Sequence, residues 1–163
     1  MVRLPQRVLS VRAEEASDAE EALVRDLVDT MRASPACVGL AAPQIGVSRR
    51  AIAVDVTGHP KTTVCHGLVV LLNPVVLSES GRAMGREGCM SVPDFTANVT
   101  RSTELAVVGI GTDGSEMIVE TDGFEARAFQ HEIDHLDGLL ILDRVASLAT
   151  DVFHRKVYKD PRA

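Results

Sequence analysis

The chain has 163 residues, enough for one domain around one core and short for two. Its composition is 45% hydrophobic and 25% charged, as in ordinary globular proteins, and with 3% aromatics and no tryptophan the core must be built from Val, Leu, Ile and Ala. A formal net charge of -6 argues against direct nucleic-acid binding, and no apolar run is long enough for a signal peptide or a membrane span, so the cytosol is the expected location and no membrane is expected as a partner.

Residues 17–31, SDAEEALVRDLVDTM, combine a serine cap, acidic residues in the first turn and apolar Ala22, Leu23, Leu27, Val28 and Met31 at helical spacing, which predicts an amphipathic helix. The stretch CVGLAAPQIGV (37–47) reads as a tight loop leading into a strand, with small residues that let another chain come close and Gln44 beside that approach. RRAIAVDV, HGLVVLLNPVVLSES and STELAVVGIGTDGSEMIVETDG are rich in β-branched residues and read as strands. Asn73-Pro74 breaks the second of these, and residues 112–115 make a hairpin tip in the third. A helix then begins near Gly123 and Phe124 and ends by Gly138, and DRVASLATDVFHRKVYK (143–159) predicts a C-terminal helix. Helix, strands, helix, helix is the order of an α+β fold, not of a βαβ alternation.

Within FQHEIDHL, His131 and His135 stand one turn apart on one helix face, where two imidazoles can reach a single ion, and Glu132 lies beside its open position. The competing reading is a polar helix face with two solvated histidines. A catalytic metal needs a third protein ligand. Downstream stand Asp137, which is too near in sequence, Asp143 and Asp151; upstream, Cys89 in REGCMSVP is a better candidate, although alone it would read as a buried apolar residue. A thiolate with two imidazoles suits iron(II), zinc or nickel. Three widely spaced cysteines, Cys37, Cys65 and Cys89, make a disulfide framework improbable. Asp134, inside the helix motif, offers a carboxylate to a ligand's outer neighbours or to a salt bridge.

Together these stretches resemble the peptide deformylases, whose signatures run in the same order: a GxGxAAxQ loop (here residues 37–44), an EGCxS segment (Glu87, Gly88, Cys89, Met90, Ser91) and an HExDH helix (131–135). The likeness continues through QIGV, Asn73-Pro74 and the DRV segment, over nearly the whole chain. It implies a single catalytic domain over residues 1–163, with antiparallel sheets packed around the central motif helix between an N-terminal and a C-terminal helix. It implies one divalent metal held by Cys89, His131 and His135, iron(II) as the native ion with zinc or nickel as substitutes. Glu132 would serve as general base and then acid, while the Gln44 side chain and the Met90 N–H would stabilise an oxyanion. The substrate would run along Val38, Gly39 and Leu40 beside Glu87 and Gly88, with Phe124, Arg127 and Ala128 around its methionine. The implied activity is removal of the N-formyl group from formyl-methionyl nascent peptides in the cytoplasm, met at the ribosome, by a monomer.

The chain departs from that pattern twice. Cys37 replaces the first glycine of the loop signature, where the reading favoured here has the thiol pointing away from the cleft. Thr96, in PDFTANVTR, stands where many relatives carry an arginine that would anchor the distal end of the substrate, while Arg101 is kept. These departures leave open a deformylase-like metal-binding protein of weak or altered activity, acting as an accessory module. A zinc endopeptidase is a further alternative, weakened by the lack of a convincing downstream ligand.

Overall fold

The computed structural model describes residues 1–17 and 20–156. Its first helix, α1 (Glu21–Ala33), turns Leu23, Leu27, Val28 and Met31 inward at the predicted spacing. It begins later than the serine suggests, and the Ser17 hydroxyl bonds the Glu20 carboxylate (3.3 Å) ahead of its first turn.

A five-stranded antiparallel sheet follows, built from β1 (Gly39–Ala41), β2 (Ala51–Val54), β3 (Val69–Ser80), β6 (Glu104–Ile110) and β7 (Glu116–Asp122), which adjoin in that order. The β6–β7 hairpin turns at residues 112–115 as expected, with the Asp113 carboxylate accepting from the Ser115 N–H at 2.9 Å. Asn73-Pro74 does not break β3. Asn73 takes φ 50° at a bulge, and its side chain exchanges two hydrogen bonds with the backbone of Ala16 (2.8 and 2.9 Å).

The second sheet joins β4 (Ala83–Cys89), β5 (Val92–Arg101) and β8 (Val152–His154), again antiparallel. Here the expected C-terminal helix is overturned. Residues 144–156 contain no helix, and β8 pairs with β5 through Thr96–Phe153 and Ala97–Val152; the remainder of that prediction, 157–159, lies outside the described residues. Pairing to an open strand edge outweighs a weak local helix pattern.

The motif helix α2 (Gly123–Leu136) lies between the sheets. Ala126, Phe129, Ile133 and Leu136 pack on the inner face of the large sheet against Ile52, Leu71, Val107 and Val119. The opposite face of that sheet is covered by α1 through Leu27 and Met31 on Leu40, Ala53 and Leu72. A third cluster joins Val92, Ala97 and Val99 of the small sheet to Leu140 and Ile141. The core therefore has three parts, almost entirely aliphatic. With its apolar stripe committed to the large sheet, α2 presents Arg127, His131, Asp134 and His135 toward β4 and β5.

Candidate metal centre and cleft

Two residues of α2 and the last residue of β4 converge. Ligand atoms of Cys89, His131 and His135 all lie within 4.8 Å of one another. Cys89 Sγ is 3.3 Å from His135 Nε2, close to the separation of about 3.6 Å that thiolate and imidazole ligands subtend at a tetrahedral ion. The two imidazole rings stand 5.0 Å apart and nearly perpendicular. The three downstream acids are engaged elsewhere: Asp137 pairs with Arg50 (2.8 Å), Asp143 accepts from the Leu140 N–H (2.8 Å), and Asp151 from the Ser147 N–H (3.1 Å).

The outer neighbours suit a metal as well. His131 Nδ1 is 3.0 Å from the Glu87 carboxylate, which fixes the ring and leaves Nε2 for the ion. Glu87 also receives both ends of the Arg101 guanidinium (3.0 and 3.0 Å) and one N–H of Arg127 (2.7 Å). Arg101 continues to Asp134 (2.5 Å), which in turn takes two bonds from Arg144 (3.0 and 2.5 Å). Burial alone would raise the Glu87 carboxyl, but His131 and Arg101 overcome it and hold the group well below the usual carboxylate range. The donor set of one thiolate and two imidazoles, one of them braced by a carboxylate, fits a resident divalent ion.

Glu132 is buried, and its Oε2 has no hydrogen-bond partner. Burial, reinforced by the charges of Glu87 and Asp134 and opposed by His131 and Arg101, pushes its carboxyl up to about 7. A positive ion beside it would draw that value down again. Gly39 lets the carboxylate lie this close to β1, since a Cβ there would stand 2.5 Å from Glu132 Oε1. Gln44 is also buried; its Oε1 accepts from the Ala41 N–H (2.9 Å), which aims Nε2 at Ser91 Oγ (3.3 Å) and Cys89 Sγ (3.8 Å).

Gln44, Glu87, Cys89, His131 and Glu132 line a cleft of about 320 Å³. Val38, Gly39, Gly88, Met90, Phe124, Arg127 and Ala128 line it too, and the edge strand β1 forms one wall. Two expectations need correcting. The Leu40 side chain is fully buried beneath α1 and does not face the cleft, because alternate residues of β1 point to opposite faces of the sheet. Glu87 reaches the cleft, but its carboxylate is spent on the two guanidinium groups of Arg101 and Arg127 and on bracing His131. Cys37 also differs from its favoured reading: it lines the cleft, its thiol donating to the Gly39 carbonyl at 3.1 Å. Burial first, then the Glu132 charge, pushes that thiol up to about 11.

Several cleft residues escaped sequence reasoning. Arg155, His59 and Lys61 lie far from the three signatures, while Arg86 directly precedes Glu87 of the EGCxS segment; they reach the cleft through the β4–β5–β8 sheet and the loop after β2. The available signal was an arginine directly beside the EGCxS segment of an acidic chain.

A family model described as polypeptide deformylase matches residues 1–151. A peptide deformylase of Syntrophobacter fumaroxidans is 40% identical over 155 residues, 93% of this chain and 89% of that protein. One from Agrobacterium fabrum is 41% identical across 100% of this chain and 96% of its own. The crystal structure of the Ehrlichia chaffeensis peptide deformylase in complex with actinonin superposes with a TM-score of 0.83 at 32% identity, covering 91% of this chain and 89% of that one.

Proposed function

The chain belongs to the peptide deformylase family, and from that premise we propose how its residues carry out the work. It is a metal-dependent amide hydrolase that removes the N-formyl group from the N-terminal formyl-methionine of newly made peptides and releases formate. Cys89, His131 and His135 hold the ion, which we take to be iron(II) in the cell, with zinc or nickel as working substitutes. A divalent ion in this set supplies, when bound, polarisation of the formyl carbonyl and a nucleophile at neutral pH, by lowering the pKa of water to about 7.

Glu132 takes the proton of the attacking water on its carboxylate and returns it to the leaving amine of methionine. Gln44 Nε2 and the Met90 N–H face the developing oxyanion, where one donor typically contributes about 10² to 10³ in rate. The peptide backbone lies along the open edge of β1 at Val38 and Gly39, adding a strand to the sheet. Phe124, Ala128 and the stem of Arg127 enclose the methionine side chain. The whole of residues 1–163 acts as one catalytic domain, a cytoplasmic monomer that meets its substrate at the ribosome.

The observation that carries this reading is the convergence of three ligand residues at the floor of a cleft that Cys89, His131, Glu132 and Gln44 line. Its test is formate release from a formyl-Met tripeptide by anaerobically purified protein loaded with iron(II) or nickel. Readily measured turnover that vanishes in Glu132→Ala is expected; a metal-loaded protein that releases no formate overturns the assignment. Cleavage of internal bonds in an unformylated peptide would instead mark an endopeptidase.

A further inference from the structure

Position 96 holds a threonine where many relatives have an arginine, yet the cleft does not lack cations. Strand β8 runs beside β5 with Phe153 opposite Thr96, and so delivers Arg155 to the cleft. The Arg155 backbone N–H donates to the Asp94 carbonyl (2.8 Å), its Nη2 donates to the Cys89 carbonyl (3.2 Å), and its Nε is buried with no partner. Gly88 makes room for it, since a Cβ there would meet Arg155 Nη2 at 2.5 Å. Next to it Arg86 lies flat on the Phe153 ring, 3.5 Å from the centroid, and donates to Thr96 Oγ1 at 3.3 Å. Lys61 stands over the Phe124 ring, 5.8 Å from its centroid, on a loop held by the His59–Phe124 stack (4.0 Å) and by the His66–Glu125 contact.

Among the described residues none of Arg86, Arg155 and Lys61 has a carboxylate partner, in a chain whose formal charge is -6. The carboxylates lining the cleft do not neutralise them: Glu87 is committed to Arg101, Arg127 and His131, and Glu132 is buried beside Gly39. Three cations without a carboxylate partner at one cleft attract anionic groups there, and guanidinium forks match carboxylates in shape and charge. We propose that Arg155 and Arg86, with Lys61, are specificity-determining residues that select formyl-methionyl peptides bearing an aspartate or glutamate at the second or third position. The inference rests on the hydrolase reading above and deepens it. Arg155 takes over the anchoring charge that position 96 lacks, but from a different strand, so it meets a side chain of the substrate near its start.

The test compares kcat/KM for C-terminally amidated formyl-Met tripeptides carrying Asp, Asn or Lys at the second or third position, at low and at raised salt. The expected result is an Asp-over-Asn preference of about tenfold, which is about 1.4 kcal/mol, shrinking as salt screens the pair. Arg155→Gln and Arg86→Gln should each lower that ratio several-fold. An Asp-over-Asn ratio of one or less in the unaltered protein overturns the proposal, as does an unchanged ratio in both variants. Because the ratio is read first on the unaltered chain, a variant that fails to fold does not shield the idea. If no peptide is turned over, the hydrolase reading fails separately, and binding of fluorescently labelled Asp and Asn peptides to the metal-loaded protein still decides this one.

Discussion

Replacing Gly39 by alanine should separate catalysis from folding. The added Cβ would lie 2.5 Å from Glu132 Oε1, 2.9 Å from its Cγ and 3.0 Å from its Cδ, whereas ordinary contact begins near 3.4 Å. The carboxylate must therefore retreat by 3.4 minus 2.5, or 0.9 Å. No hydrogen bond holds its Oε2, and Gly39 does not have a positive φ, so neither side chain nor backbone resists the change strongly. Folding should lose less than about 1 kcal/mol, or roughly 2–4 °C in Tm for a chain of this size. Catalysis is less forgiving, because misplacing a reacting group by about 1 Å can cost about 10²-fold, close to 2.7 kcal/mol in the barrier. Formate-release kinetics, metal content and thermal unfolding of Gly39→Ala are the measurements. The expected pattern is kcat/KM down by about two orders of magnitude with metal and Tm nearly unchanged. A variant that keeps kcat/KM within about threefold refutes the claim that the Glu132 carboxylate must sit where Gly39 allows it.

Glu87→Gln should bind its metal about 10- to 100-fold more weakly, since it removes the charge that braces His131; chelator competition reads this, and unchanged affinity would contradict the bracing role. Arg101→Met should cost about 3 kcal/mol, the low end for breaking a buried pair, because Arg127 and Arg144 still serve Glu87 and Asp134. The corresponding fall in Tm is about 6–12 °C, and a shift under about 2 °C would count against it. Cys37 has a pH signature. Its folded thiol is raised from 9.0 to about 11, so the unfolded chain loses this proton first and stability drains away as pH climbs through that interval. Urea unfolding at pH 8 and pH 10 should show the native protein losing more stability than Cys37→Ala, and equal losses would rule out this contribution.

What was legible in the sequence follows from how each element buries its residues. Helices α1 and α2 have apolar stripes at a 3.6-residue period, and β6–β7 has a turn whose chemistry is local, so all three could be read directly. The β4–β5 hairpin had no comparable pattern. In β4 the two buried residues are Glu87 and Cys89, and the last residue of β5, also buried, is Arg101. Where inward positions carry charge, the apolar alternation that marks a strand disappears. Strand β8 failed for a related reason: three residues, two of them exposed, owe their form to the edge of β5 and carry little pattern of their own.

The candidate site divides along the same line. Cys89, His131, His135, Glu132 and Gln44 could be named because their chemistry is specific and they lie in compact motifs. The roles of Glu87 and Arg155 could not, because a charged residue in a sequence reads as solvent-facing until its partners are known. Glu87 was placed with the substrate contacts, and its real neighbours lie 14, 40 and 44 positions away in Arg101, Arg127 and His131. Threonine at position 96 looked like the loss of an anchor, because an arginine supplied by a strand 59 residues later (155 minus 96) leaves no mark near it. A departure from a motif measures what one position has lost. What the cleft has lost depends on every chain segment that reaches it, and here β8 brings back a positive charge on a new side of the cleft.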